Sequence, residues 1–284
     1  MLECDVDGAI ATVTLDDGKA NALSPVMQRE INYALDLAEQ QEMRAVVLAG
    51  NDRLFCGGFD LGVLAAADQQ ATLDMLRGGF RLSVRLLMFP SPVIIAATGP
   101  AIAISSFLLL SGDHRVGSAR TRCQAKEVAT GMTLPMSAVE IMRMRLTPPA
   151  FHRGIAMACR FVGDAAIAGG WLDEIIEPSD VVSRAHEEAE TAAATVNLEA
   201  HLASKVKARG GAVEAILRGI DRLARESRAG NVVAGCRTSR RSHGSLLLRV
   251  GCRRARAPAA SCRSVRPWWE NSLRQVNHLW ISYC

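Results

Sequence analysis

Two backbone turns and one carboxylate are the parts of this sequence whose residue types suit chemistry. The first turn is Phe55-Cys-Gly-Gly-Phe-Asp-Leu61, where Gly57 and Gly58 precede an acid and let backbone N–H groups come close to a ligand. The second follows the apolar run at 93–97. Gly99-Pro100 interrupts the chain there, and an apolar helix is predicted from about 103 to 110. The first N–H groups of such a helix have no intrahelical partner and carry the positive end of its dipole, which suits an oxyanion. The carboxylate is Glu127, and on residue type alone it reads as an exposed acid or one paired with neighbouring Lys126.

The elements that must position these groups follow from periodicity. The span 86–112 carries no charge and is long enough to cross a bilayer, which takes ~20 apolar residues. Pro90, Pro92 and Gly99-Pro100 cut it into a buried strand, a turn and a helix, so no membrane segment is expected. Upstream, residues 9–15 alternate as a strand, and Ser24 caps a helix that has Pro25 in its first turn. Met27, Ile31, Ala34 and Ala38 line one face of that helix, which should end near Gln41. A second buried strand is predicted at 44–49, and a long helix at 68–88 is weakened in its middle by Gly78-Gly79. Downstream come a short strand over 123–128, which contains Glu127, and a helix over 135–145. Strands and helices alternate to this point, which predicts an α/β fold with a largely parallel sheet covered by helices. Beyond Phe151 the pattern is helical, over 148–160, 179–196, 199–209 and 212–228, with one strand-like piece at 171–176.

Composition sets the remaining bounds. With 284 residues, 49% of them hydrophobic and 22% charged, the chain can bury a sizeable core. The acidic start, with Glu3, Asp5 and Asp7, does not resemble a signal peptide, so a cytoplasmic protein is expected. Cys4, Cys56, Cys123 and Cys159 lack CxxC spacing and read as thiols. No dinucleotide fingerprint, P-loop or metal-ligand set is present, and neither a metal nor a separate cofactor is expected.

Charge is unevenly spread. Residues 236–284 hold ten Arg, no Lys and one acid, Glu270, a balance of +9, which leaves −5 for 1–235. Three readings compete for this Arg-rich tail: a basic arm, a docked element, or a disordered or non-native extension such as an out-of-frame reading. Its arginines follow no helical stripe and its tryptophans stand apart from them, so neither nucleic acid nor a membrane is expected as a partner and the last reading is preferred.

Taken together and in order, Asn-Ala-Leu-Ser24, Phe-Cys-Gly-Gly-Phe-Asp-Leu61, Pro-Val-Ile-Ile-Ala-Ala-Thr-Gly99, Gly-Asp-His-Arg-Val116 and Glu127-Val-Ala-Thr-Gly-Met-Thr-Leu-Pro135 resemble the enoyl-CoA hydratase/isomerase, or crotonase, family over residues 5 to 230. The resemblance implies a crotonase-like ββα superhelix over 1–150 and a helical oligomerisation region over 151–235. It also implies a homotrimer or a dimer of trimers, and an acyl-CoA thioester as substrate, coenzyme A being part of that substrate. By position, the N–H groups of Phe59 and Ile104 would form the oxyanion hole. Ala20, Ala22, Gly58, Asp60, Leu61 and Phe107 would line the substrate.

Two departures from the family pattern decide the expected activity. Many members have three glycines where this chain has Ala103-Ile104-Ser105. Hydratases of the family place one glutamate on the central helix and a second twenty residues later, whereas here the first position holds Phe107 and only Glu127 remains. Isomerisation of a 3-enoyl thioester needs one carboxylate that takes a proton from C2 and returns one at C4, but hydration must also orient a water. Glu127 is therefore expected to be the catalytic residue of an enoyl-CoA isomerase, with a weak hydratase or a catalytically weak acyl-CoA-binding protein as the alternatives. Cys56 is expected to be a packing residue, and His114 a surface or supporting one. Lys205 and Lys207 are weighed as contacts for CoA phosphates against a solvated helix face.

Overall fold

The computed structural model describes residues 2–228; the Arg-rich tail at 236–284 lies outside them. In chain order the elements are β1 (Leu2–Asp7), β2 (Ile10–Leu15), α1 (Pro25–Gln40), β3 (Ala45–Ala49), α2 (Leu61–Ala65), α3 (Gln69–Leu87), β4 (Val93–Ala97), β5 (Ala101–Ile102) and α4 (Ile104–Ser111). They continue with β6 (His114–Ser118), β7 (Cys123–Gln124), α5 (Met136–Arg145), α6 (Pro148–Met157), α7 (Asp164–Ala168), β8 (Glu174–Ile176), α8 (Val181–Thr195) and α9 (Leu198–Arg228).

The main sheet has the order β1-β2-β3-β4-β6-β8, antiparallel at its first pair and parallel thereafter. Its alternation sorts side chains onto two faces. Ala11, Val13, Leu15, Val46, Leu48, Val93 and Ile95 enter the large core with α1, α3 and α4. Ile10, Ala45, Val47, Ile94, Ala96 and Val116 meet Val181, Ala185 and Ala189 of α8, whose small side chains let that helix lie close to the sheet. The strand β8 returns to the sheet beside β6, so the segment after Phe151 completes the core as well as adding helices.

Local signals act as their chemistry requires. The Ser24 hydroxyl accepts from the Met27 N–H at 3.1 Å, and Met27, Ile31, Ala34 and Ala38 are buried along α1. Gly78-Gly79 does not break α3, because both glycines serve packing. The buried Gln28 amide occupies the space that a Cβ on Gly78 would need, while donating to the carbonyls of Leu23 and Met75.

Three expectations need correction. The strand predicted over 123–128 ends at Gln124, because the chain turns into a 3-10 helix at Val128–Thr130. The two helices expected at 199–209 and 212–228 are one, α9, which runs through Gly210-Gly211. Each glycine costs a helix only about 1 kcal/mol, and α9 packs on α3 and α5. Finally, Lys205 is neither solvated nor free for a phosphate. It is 5% exposed, and its Nζ binds Asp113 and the Phe89 carbonyl, each at 2.9 Å. No described helix is long and apolar enough to cross a membrane.

Candidate active site

A small second sheet brings the three chemical parts together. The strand β5 pairs in parallel with β7, with Ala101 opposite Cys123 and Ile102 opposite Gln124. Cys56 forms a parallel bridge to Ala101. Three parallel segments therefore run side by side, and each continues into one of the candidate groups. Phe59 lies three residues beyond Cys56, Ile104 three beyond Ala101, and Glu127 three beyond Gln124. Parallel pairing makes all three leave at the same end, the carboxyl end, where α/β folds place their ligands.

The first turn is clipped to the loop before α1. The Gly57 N–H donates to the Ala20 carbonyl, and the Leu23 N–H to the Gly58 carbonyl, both at 2.8 Å, so Ala20 and Ala22 flank the glycine pair. Gly58 has φ of +100°, a left-handed conformation that favours glycine, and a Cβ there would lie 3.3 Å from the Ile102 carbonyl oxygen. Asp60 caps α2, accepting from Gly62 at 2.7 Å and Val63 at 3.2 Å, and Leu61 behind it is 72% exposed. The Phe59 ring rests on α3. A Cβ on Gly79 would meet that ring at 2.7 Å and Ile104 Cγ1 at 3.2 Å, so the first two candidate residues share one contact point on that helix.

The second turn is strained. Ala103 has φ of 57° and ψ of −127°, a region essentially reserved for glycine, and a residue held in such a conformation costs about 1–3 kcal/mol. Its N–H donates to Gln124 at 2.9 Å, and its carbonyl accepts from the Ser106 N–H and hydroxyl at 2.9 and 2.7 Å. The Ser105 hydroxyl takes the Ile102 N–H at 2.6 Å and donates to the Ile102 carbonyl at 2.7 Å. Ile104 then opens α4, and neither its N–H nor that of Phe59 finds an acceptor among the described residues. Phe107, one turn on, is 1% exposed and stacks on Phe80 with ring centroids 5.9 Å apart.

Glu127 combines a half-buried side chain with a buried Oε2 that has no hydrogen-bond partner. Burial pushes its carboxyl up to about 7. The ion pair with Lys126 does not form, and Glu127 makes no salt bridge among the described residues. Its own carbonyl accepts from Thr130 and Met132, both at 2.9 Å, which fixes the backbone that carries the carboxylate. Two backbone donors and one proton-transfer group, arranged at one end of three parallel segments, can hold an oxyanion and move a proton beside it.

The other candidates fall outside this arrangement. Cys56 is fully buried, and burial pushes its thiol up to about 11, as suits a packing residue. His114 is half-buried and pairs with Glu174 at 2.9 Å. Glu188 lies close enough to join those two around a cation, but the Arg184 guanidinium already binds both carboxylates, at 2.8–3.2 Å. Sequence reasoning missed the cluster of Asp113 with Lys205, Arg209 and His201. A lysine on an apolar helix face, four residues before an arginine, was its only signal.

Comparison with known proteins gives the family and the fold. The family model for enoyl-CoA hydratase/isomerase matches residues 5–216. A solved structure described as the apo enoyl-CoA isomerase of Mtb is 47% identical, with a TM-score of 0.76 over 79% of this chain and 98% of that one. The enoyl-CoA hydratase EchA3 of Mycobacterium ulcerans Agy99 is 48% identical, with a TM-score of 0.78 over 80% and 99%. The short-chain-enoyl-CoA hydratase of Clostridium acetobutylicum is 26% identical, over 64% of this chain and 70% of its own.

Proposed function

Because the chain belongs to the enoyl-CoA hydratase/isomerase family and has the crotonase fold, we propose that it isomerises a 3-enoyl-CoA to the 2-enoyl-CoA with Glu127 as its acid–base group. The thioester oxygen sits between the N–H groups of Phe59 and Ile104. Glu127 removes a proton from C2, and the negative charge spreads through the dienolate onto that oxygen, where the two donors and the α4 dipole stabilise it. Glu127 then delivers the proton to C4, and the double bond moves from C3–C4 to C2–C3. One carboxylate serves both steps, since its raised proton affinity lets it act first as base and then as acid. Ala20, Ala22, Gly58, Asp60 and Leu61 border the turn and frame the substrate.

The observation that carries this reading is Phe107. A hydratase needs a second carboxylate to hold water, and the position from which it would come is an aromatic ring stacked in the core. The second reading is hydration of a 2-enoyl-CoA, which the hydratase names of two of the similar proteins favour. Incubation with 3-enoyl-CoA and with 2-enoyl-CoA, followed by product analysis, separates them. Transfer of the double bond without a 3-hydroxyacyl product supports the isomerase, water addition supports the hydratase, and binding without turnover of either leaves an acyl-CoA-binding protein.

A further inference from the structure

Resting on that reading, we propose that Ser105 is a positioning residue whose hydroxyl clamps Ile102 and thereby sets the spacing of the two backbone donors. A serine hydroxyl has one proton to give, and here it goes to the Ile102 carbonyl while the same oxygen accepts the Ile102 N–H. Both polar groups of one residue are held by one side chain. Ile102 is the hinge between the donors: its carbonyl faces Gly58, which precedes Phe59, and two residues further on α4 begins at Ile104.

The clamp matters because Ala103 stands in a conformation that glycine adopts freely and alanine resists. Without a constraint on each side, the Ala103 peptide would relax toward ordinary dihedrals and turn the Ile104 N–H away from the Phe59 N–H. The Gln124 bond and Ser106 hold Ala103 itself, and Ser105 holds the residue before it. Ser105 touches no substrate and acts through the Ile102 backbone and through the Cys56 thiol, which it also meets on the segment that leads to Phe59.

A matched control lies on the same helix. Ser111 is also fully buried and donates to a carbonyl, that of Phe107 at 2.8 Å, at the end of α4 away from the donors. Steady-state kinetics on 3-enoyl-CoA with the full chain compare S105A, S105A combined with A103G, and S111A. A misplaced oxyanion donor lowers kcat more than KM, so S105A should lose about tenfold or more in kcat with KM within about threefold. Adding A103G should restore most of that loss, because glycine takes the turn without strain. S111A should lower Tm yet keep kcat within about twofold.

Wild-type kcat in S105A, no recovery in the double variant, or an equal kcat loss in S111A would each overturn the proposal. Should S105A not fold, S105C, which fills the site but offers only a weak hydrogen bond, should show a smaller loss in kcat at unchanged KM, and wild-type kcat in it would equally overturn the proposal. Wild-type protein that turns over no 3-enoyl-CoA would instead overturn the isomerase reading, and this proposal with it, before any variant is compared.

Discussion

The backbone N–H of Ala103 donates to the carbonyl of Gln124 at 2.9 Å, so the residue just before the central helix is tied to the strand that ends three residues before Glu127. Donor and carboxylate therefore share a mount. Changes in the β5–β7 pairing should disturb both together, whereas changes to the Glu127 side chain should leave the backbone donors in place.

Glu127 predicts a pH dependence with a definite sign. Burial lifts its carboxyl from 4.5 to about 7 in the folded protein. Isomerisation starts from the carboxylate, so kcat/KM should fall about tenfold per pH unit below about 7, following one ionisation. Stability runs the other way: the protonated folded form is favoured below 4.5, and that advantage is lost as pH rises through about 7. Thermal melts from pH 4 to 9 should show E127Q gaining on the wild type as pH rises. An acid limb near the ordinary glutamate value would refute the buried setting.

The cluster around Asp113 predicts a structural effect. Its carboxylate lies 2.9 Å from both Lys205 and Arg209, and also accepts the Val93 N–H at 2.9 Å. Removing it strands two largely buried cations, so D113A should cost about 3–5 kcal/mol in denaturant unfolding. K205M should cost less, since Asp113 keeps Arg209, and the folded variant should retain the wild-type KM for acyl-CoA. A raised KM would return Lys205 to the CoA phosphates.

These outcomes bear on what the sequence made legible. The β4–turn–α4 unit stood out because Pro90 and Pro92 precede it, Gly99-Pro100 marks its turn and the run carries no charge. The strand β1 did not, because five of its six residues are exposed and its acids mask the alternation. The pairing that brings Cys56, Ala101 and Cys123 side by side involves two-residue strands and single bridges, too short for any periodicity to register. At Ala103 the glycine position was visible from the family resemblance, but the strain was not, because only the dihedrals show that the alanine keeps the glycine conformation.

Replacing Phe107 tests the choice between the two reactions. F107E restores the second acid of a hydratase, and it should gain measurable water addition to 2-enoyl-CoA while losing stability, because Phe80 then faces an unpaired carboxyl. If the folded variant adds no water, a second acid is not what separates the reactions here.

Assembly and the tail are tested together. Light scattering on the full chain and on residues 1–235 should give a trimer or a dimer of trimers in both cases, with equal Tm. A monomer would sink the assembly expectation, and a Tm several degrees lower in the short form would show that the tail is docked.

The acid–base role of Glu127 is tested most directly by Glu127→Gln. The change keeps volume and hydrogen-bonding reach and removes a carboxylate whose Oε2 is buried without a partner. The measurement is kcat for 3-enoyl-CoA isomerisation alongside acyl-CoA affinity by calorimetry. General acid–base catalysis is typically worth ~10²–10⁴-fold, so kcat should fall by at least that order while Kd stays within about twofold, the thioester being held by backbone N–H groups. Isomerase activity surviving intact in E127Q would contradict the account and place the base elsewhere.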